Sequence, residues 1–284
     1  MRLTIQHETR YSYTTPPASV IELLRLTPCN TDTQSVREWR IDISGDAALK
    51  RFDDAFGNIN HTFTAAVPDG ELVITATGMV ETTGTSGIVS GGPERLPVGV
   101  YLRETDLTQP KPNLVALGAE ARAASDGSTL DFAHTLNRLI HERITFDADA
   151  TNNSTPAAEA LEAGSGVCQD LAHILLSAAR AEGVPARYVW GYQFADGRAR
   201  EEHAGHAWAE LHVEDLGWVS FDPSTGESAG ETYVRVAIGL DYLSAGPVRG
   251  AAYGGEGEEL TVNVTMDDGL HRPGASSTQS QTQQ

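Results

Sequence analysis

Gly164-Ser165-Gly166-Val167-Cys168-Gln169-Asp170-Leu171-Ala172-His173-Ile174-Leu175-Leu176 is the stretch on which the fold turns. A cysteine follows a glycine-bearing turn and opens an apolar run. Leu171, Ala172, Leu175, Leu176 and Ala179 recur at helical spacing, and Gly183 with Pro185 just beyond marks the stop. The pattern predicts a helix from about Cys168 to just before Gly183. A thiol at a helix start lies in the positive end of the helix dipole, beside backbone N–H groups that have no helical partner. Both favour the thiolate, which is the nucleophilic form. The same N–H groups can receive an oxyanion. Read alone, the pattern also suits a buried core cysteine.

Downstream the period changes from helical to two. Strands are predicted over 188–194, 207–213 and 218–222. In Gly205-His206-Ala207-Trp208-Ala209-Glu210-Leu211 the small and aliphatic residues share one face. His206, Trp208, Glu210 and His212 share the other, so His206 starts a strand and points away from the aliphatic side. A neutral imidazole there can take a thiol proton. In Trp218-Val219-Ser220-Phe221-Asp222-Pro223, the proline keeps Asp222 extended at a strand end. A carboxylate held there can accept a hydrogen bond from an imidazole and fix its tautomer. A surface histidine and an ordinary Asp-Pro turn are the plain readings of these two positions. Together the three residues fit one plan, because adjacent antiparallel strands bring His206 beside Asp222 and the helix docks Cys168 against both.

Upstream, residues 1–81 read as a β-rich module. Trp39, Ile41 and Ile43 alternate with Arg40, Asp42 and Ser44, and Leu72, Ile74 and Ala76 alternate with Val73, Thr75 and Thr77. Pro68-Asp69-Gly70 and Gly57-Asn58 are turn signals. Residues 82–113, rich in Gly and Pro, read as a linker or crossing loop. From 114 the chain turns helical, and Ser128-Thr129-Leu130-Asp131 resembles a capping box ahead of Phe132, Leu136, Leu139 and Ile140. A catalytic core is expected over 114–267, ending in a strand near 260–265. The Ser, Thr and Gln tail within 268–284 is expected to be disordered.

Composition narrows the partners. The 284 residues carry 20 basic and 39 acidic side chains, a formal net charge of −19. Such a surface repels phosphate backbones and anionic lipid, so neither nucleic acid nor a membrane is an expected partner. No stretch approaches the roughly 20 apolar residues of a membrane-spanning helix, and the first residues lack the apolar core of a secretory signal. A cytoplasmic location is the expectation. The two cysteines, Cys29 and Cys168, do not make a disulfide framework. His203 and His206 are spaced like metal ligands, but no tight second pair accompanies them. Neither a metal nor a cofactor is called for.

Four ordered motifs carry a resemblance. They are Gly166-Val167-Cys168-Gln169-Asp170-Leu171-Ala172-His173, the run from Gly183-Val184-Pro185 to Trp190-Gly191-Tyr192, Gly205-His206-Ala207-Trp208-Ala209-Glu210, and Trp218-Val219-Ser220-Phe221-Asp222-Pro223-Ser224. Together they resemble the transglutaminase-like superfamily core, and the region before them resembles the β-rich module that accompanies it in bacterial and archaeal members. The resemblance implies an α+β fold: a β-rich N-terminal module, then a papain-like core in which a cysteine-bearing helix packs on an antiparallel sheet. It implies Cys168 as nucleophile, His206 as base and Asp222 as orienting acid, acting on a carboxamide or peptide carbonyl of a protein or peptide through a thioester. Gln169 is a candidate oxyanion donor or a helix-surface residue. Trp190, Tyr192 and Trp208 are candidates for lining an acyl-binding groove or for core packing.

Overall fold

The structure, a computed structural model, describes residues 1–195, 197–199 and 205–269. His203 and the tail expected to be disordered lie outside the described residues. The N-terminal half contributes β1 (Arg2–Thr15), β2 (Ser19–Thr27), β3 (Gln34–Ile43), β4 (Lys50–Asp53), β5 (Ile59–Ala65) and β6 (Glu71–Thr82). Period-two burial builds them. Leu72, Ile74, Ala76 and Val80 of β6 point inward with Leu3 and Ile5 of β1, Val20 and Leu24 of β2, and Phe63 of β5. Each Leu, Ile, Val or Phe among them, fully buried, contributes about 1.5–3 kcal/mol. The turns fall where the sequence signals them: Gly57 and Gly70 have φ of 86° and 71°, the region that favours glycine.

A crossing segment follows. It carries β7 (Ile88–Val89) and two 3₁₀ turns, Val98–Leu102 and Asp106–Thr108. It is packed rather than loose: Tyr101 is buried edge-on to Trp218, with ring centroids 5.0 Å apart, and Glu94 pairs with Arg187 at 2.9 Å.

The remaining elements are α1 (Pro112–Ala124), α2 (Thr129–Arg143), β8 (Thr145–Phe146), α3 (Ala157–Ala163), β9 (Ser165–Gly166), α4 (Cys168–Ala181), β10 (Ala186–Ala195), β11 (Arg198–Ala199), β12 (His206–Val213), β13 (Gly217–Phe221), β14 (Tyr233–Gly239), α5 (Tyr242–Ala245), β15 (Val248–Tyr253) and β16 (Glu256–Asp267). Ser128 caps α2 by accepting from Asp131 N at 3.1 Å. The central antiparallel sheet runs β11-β10-β12-β13-β7, with β14 on the other edge of β10. Helix α4 lies across β12 and β10 and is itself covered by α1, α2 and α3, so every residue from Cys168 to Arg180 is buried. The buried Arg180 guanidinium donates to Tyr101 O, Ala186 O, Leu240 O and Thr108 Oγ1, which pins the far end of the helix.

One expectation needs correcting. The C-terminal strand expected in the catalytic core instead returns to the N-terminal half. β16 pairs with β1 (Tyr11↔Leu260, His7↔Val264), and β15 pairs with β2 (Leu24↔Val248). The sheets therefore run β16-β1-β6-β3 and β15-β2-β5-β4. Val264 and Met266 alternate into the sandwich core, and pairing covers an edge of β1 that would otherwise expose unpaired amides.

β14 was not read from the sequence, and its support is unusual. On the edge away from β10, two side-chain amides of the N-terminal half act as ladder partners. Gln34 accepts from Arg235 N and donates to Arg235 O, both at 2.8 Å. Asn58 does the same to Ile238 N and O, again at 2.8 Å. Gly191, at the irregularity where β10 meets β14, has no room for a side chain: a Cβ there would lie 2.1 Å from Val234 O and 2.8 Å from the Trp208 ring. Gly191→Ala should therefore destabilise the protein by about 1–3 kcal/mol through overpacking. A urea midpoint equal to that of the parent would show that the β10–β14 contact is looser than described.

Candidate active site

The site is assembled at two element ends. Val167 is the N-cap of α4, and the first helical bond runs from Leu171 N to Val167 O at 3.1 Å. The N–H groups of Cys168 and Gln169 therefore stand outside the helix ladder. Asp170 turns back on this cap. Its Oδ2 accepts from Val167 N at 2.9 Å and from Thr151 Oγ1 at 2.5 Å. Burial pushes its carboxyl upward, against the pull of these hydrogen bonds. Gly166 is needed here, because a Cβ would lie 2.8 Å from the same carboxylate oxygen.

His206 begins β12 directly after Gly205, whose φ of 79° and contact with the Trp190 ring both require glycine. His206 Nε2 lies 2.7 Å from Asp222 Oδ2, with both side chains fully buried. Cys168, at the start of α4, adds to the upward pull on the imidazole that Asp222 exerts. Cys168 is itself only 8% exposed. His206 and Asp222 thus meet directly, and Cys168 lies near enough to the ring to influence its charge.

Two family descriptions match this chain. The transglutaminase-like superfamily core matches residues 116–223, and the bacterial transglutaminase-like N-terminal region matches residues 3–81. Residues 116–223 belong to the transglutaminase-like superfamily core. Among its relatives is an uncharacterised protein of Mycobacterium leprae, 28% identical over 93% of this chain and 98% of its own length. An uncharacterised Mycobacterium tuberculosis protein is also 28% identical, over 95% of each chain. The protein-glutamine gamma-glutamyltransferase of Pseudomonas aeruginosa is 33% identical over 48% of this chain but only 21% of its own length. A solved structure described as a candidate cysteine protease of Cytophaga hutchinsonii superposes with a TM-score of 0.72 at 18% identity, covering 99% of this chain and 95% of that one. It has the same fold.

The electrostatics of this superfamily site follow from burial. Burial alone would lower the His206 pKa. The Asp222 charge and hydrogen bond, with smaller help from Cys168, outweigh it and raise the value to about 10. Burial likewise works to raise the Asp222 carboxyl, but His206, Ser224 and Tyr233 bring it down to about 2. Each partner thus favours the charged form of the other. An imidazole that takes the thiol proton, as expected from the sequence, becomes the charged ring that Asp222 stabilises.

Asp222 takes more donors than the sequence revealed. Ser224 gives its N–H at 2.9 Å and its hydroxyl at 2.7 Å to Oδ1. Tyr233 gives its hydroxyl at 2.8 Å to Oδ2, and Gln193 Nε2 donates to that tyrosine oxygen at 2.7 Å. Ser224 had a readable signal, since a serine two residues after an aspartate commonly folds back onto it. Tyr233 had none, because its strand was not read.

The four lesser candidates separate. Trp208 lies against His206 with near-parallel rings, centroids 6.1 Å apart. Gln169 is buried and donates to Asn153 O at 3.4 Å, so its carboxamide is turned to the neighbouring loop. Trp190 and Tyr192 pack on each other and on His7 of β1, and Tyr192 Oη lies 3.1 Å from His7 Nδ1. Both are buried between the two halves of the chain.

The raised histidine makes a testable statement. A folded value near 10, above the ordinary 6.5, means that protonating His206 favours folding. That contribution is complete below about pH 6.5 and is lost as pH rises toward 10. Removing the carboxylate charge by Asp222→Asn should bring the His206 titration, followed by imidazole NMR, down by more than two pH units. The stability deficit of the variant should be largest below pH 6.5 and narrow above it. A His206 resonance that titrates identically in both proteins would show that Asp222 does not set its charge.

Proposed function

We propose that this chain is a cysteine-dependent acyltransferase that attacks a glutamine carboxamide or a peptide bond of a protein or peptide through a thioester. One observation carries the reading: a thiol at a helix start acts on an imidazole whose far nitrogen is 2.7 Å from a buried carboxylate. In the proposed mechanism Cys168 is the nucleophile, held as thiolate by the imidazolium and the helix start. Its sulfur adds to the amide carbonyl. The resulting oxyanion accepts from the N–H groups of Cys168 and Gln169, which lie in the first turn of the helix, outside its ladder. His206 then gives its proton to the departing nitrogen, which leaves as ammonia or an amine, and the thioester forms. Neutral His206 next takes a proton from the incoming amine or water, and the thioester breaks to regenerate the thiolate.

The name of the Pseudomonas relative supports amine transfer, and the description of the Cytophaga structure supports peptide cleavage. The low exposure of Cys168 and the Trp208 ring beside His206 favour transfer, because excluding water prolongs the thioester. Hydrolysis to an acid is the second reading. The acidic surface supports a protein or peptide partner rather than nucleic acid.

By analogy with other triads, Cys168→Ala should lower turnover by about 10⁶ and Asp222→Asn by roughly 10⁴, with circular dichroism unchanged. Assays of ammonia release from glutamine peptides, with and without added primary amine, would measure both. Activity of Cys168→Ala equal to the parent would refute the nucleophile. In the parent, turnover should hold through neutral pH and fall as pH approaches 10, where His206 loses the proton it must donate. A rate that instead keeps rising past pH 10 would contradict an imidazolium acid.

A further inference from the structure

We infer that Tyr233, held in place by Gln193, is a positioning residue that keeps the Asp222 carboxylate ionised and aimed at His206. The inference rests on the acyl-transfer reading above but concerns a residue outside the Cys168-His206-Asp222 set. Three observations carry it. First, the Tyr233 hydroxyl donates to Oδ2, the same oxygen that accepts from His206, at 2.8 Å. Second, that hydroxyl has a fixed direction: Gln193 Nε2 donates to its oxygen at 2.7 Å, so its proton is free to go to the carboxylate. Gln193 and Tyr233 are themselves cross-strand partners of β10 and β14. Third, Tyr233 also packs on the site's rings, with centroids 5.9 Å from His206 and 5.3 Å from Trp208.

The physical role follows. A carboxylate with no exposed surface has lost its water and must be given donors in exchange. Ser224 satisfies Oδ1 from the local turn. Oδ2 would otherwise depend on His206 alone, the group whose proton moves during the reaction. A second, immobile donor on Oδ2 holds the carboxylate in one plane and in one charge state while the imidazole gives and regains its proton. Deleting that donor makes the anionic site bind the next proton more readily, so the acid side of any thiolate-dependent profile should move to higher pH.

The test uses a Cys29→Ser background, so that Cys168 alone reports. The rate of Cys168 alkylation by iodoacetamide is measured against pH in the parent, Tyr233→Phe and Gln193→Ala, together with kcat and KM for amide turnover and the melting temperature. Tyr233→Phe should shift the acid limb of alkylation upward and lower kcat about tenfold or more at little change in KM, as loss of a hydrogen bond to a charged group implies. Gln193→Ala should shift both in the same direction by less. An unshifted alkylation profile in Tyr233→Phe overturns the inference, even if kcat falls, because the loss is then structural. If Tyr233→Phe does not fold, an unshifted profile in Gln193→Ala overturns it equally. A shifted profile in a protein that turns over no amide supports the positioning role while counting against the proposed reaction.

Discussion

An ionised carboxylate inside a protein is the constraint around which this molecule is organised. Asp222 is buried, yet its partners hold its carboxyl well below the usual range, beside an imidazole that it raises in turn. Desolvating such a pair costs several kcal/mol per ion, and the attraction between them repays it only when the remaining lone pairs are also satisfied. The local structure meets that requirement. The chain after Asp222 turns so that Ser224 faces back, Asp222 N closes on Glu227 O at 2.8 Å, and Tyr233 arrives from another strand. Helix α2 braces the turn from outside, with His141 Nδ1 3.1 Å from Pro223 O. Removing Ser224 or Tyr233 would leave one carboxylate oxygen short of a donor, a penalty larger than that hydrogen bond's own net worth.

The N-terminal sandwich belongs to this arrangement. Tyr233 reaches Asp222 only because β14 is held beside β10, and the free edge of β14 is completed by Gln34 and Asn58. Those two amides come from the N-terminal module and replace a missing strand. The return of β15 and β16 to β2 and β1 ties the chain's end to the same module. His7 of β1, packed on Trp190 and Tyr192, closes the remaining contact, and Trp190 in turn fixes the position of Gly205 before His206. The β-rich half therefore acts on the site through packing, although Cys168, His206 and Asp222 all lie outside it.

How much of this was legible depended on the range of the information. Cys168, His206 and Asp222 could be read because each marks an element end with a local signature: a glycine turn into a helix, a strand start, and an Asp-Pro strand exit. The alternation in β6 and β12 was visible for the same reason. The destination of β16 was not, since alternating residues show that a segment is a strand but not which strand it joins. Tyr233 escaped for a related reason. A tyrosine in a strand is ordinary on its own, and its meaning comes from a partner on β13's far end that only the tertiary fold supplies. Trp190 and Tyr192 were legible as aromatic and buried, but whether they face a groove or β1 is decided by the position of His7.

The far face of β12 shows why the His206 charge answers to Asp222 in particular. Beyond Trp208 the strand carries Glu210, fully buried. In a low dielectric an uncompensated carboxylate two residues beyond Trp208 would compete for influence over the imidazole. It is compensated on both sides, by Arg187 at 2.6 Å and Arg235 at 2.9 Å, while Glu94 from the crossing segment meets Arg187 in turn. Two acids and two guanidinium groups sum to zero, so the layer contributes packing and little field. Arg187 also lies over the Trp218 ring at 4.0 Å, which uses its remaining face. The dominant charge left near His206 is therefore the carboxylate it touches. A single strand supplies aliphatic residues to α4, a neutralised polar layer behind it, and at its first residue the imidazole, placed where those two environments meet.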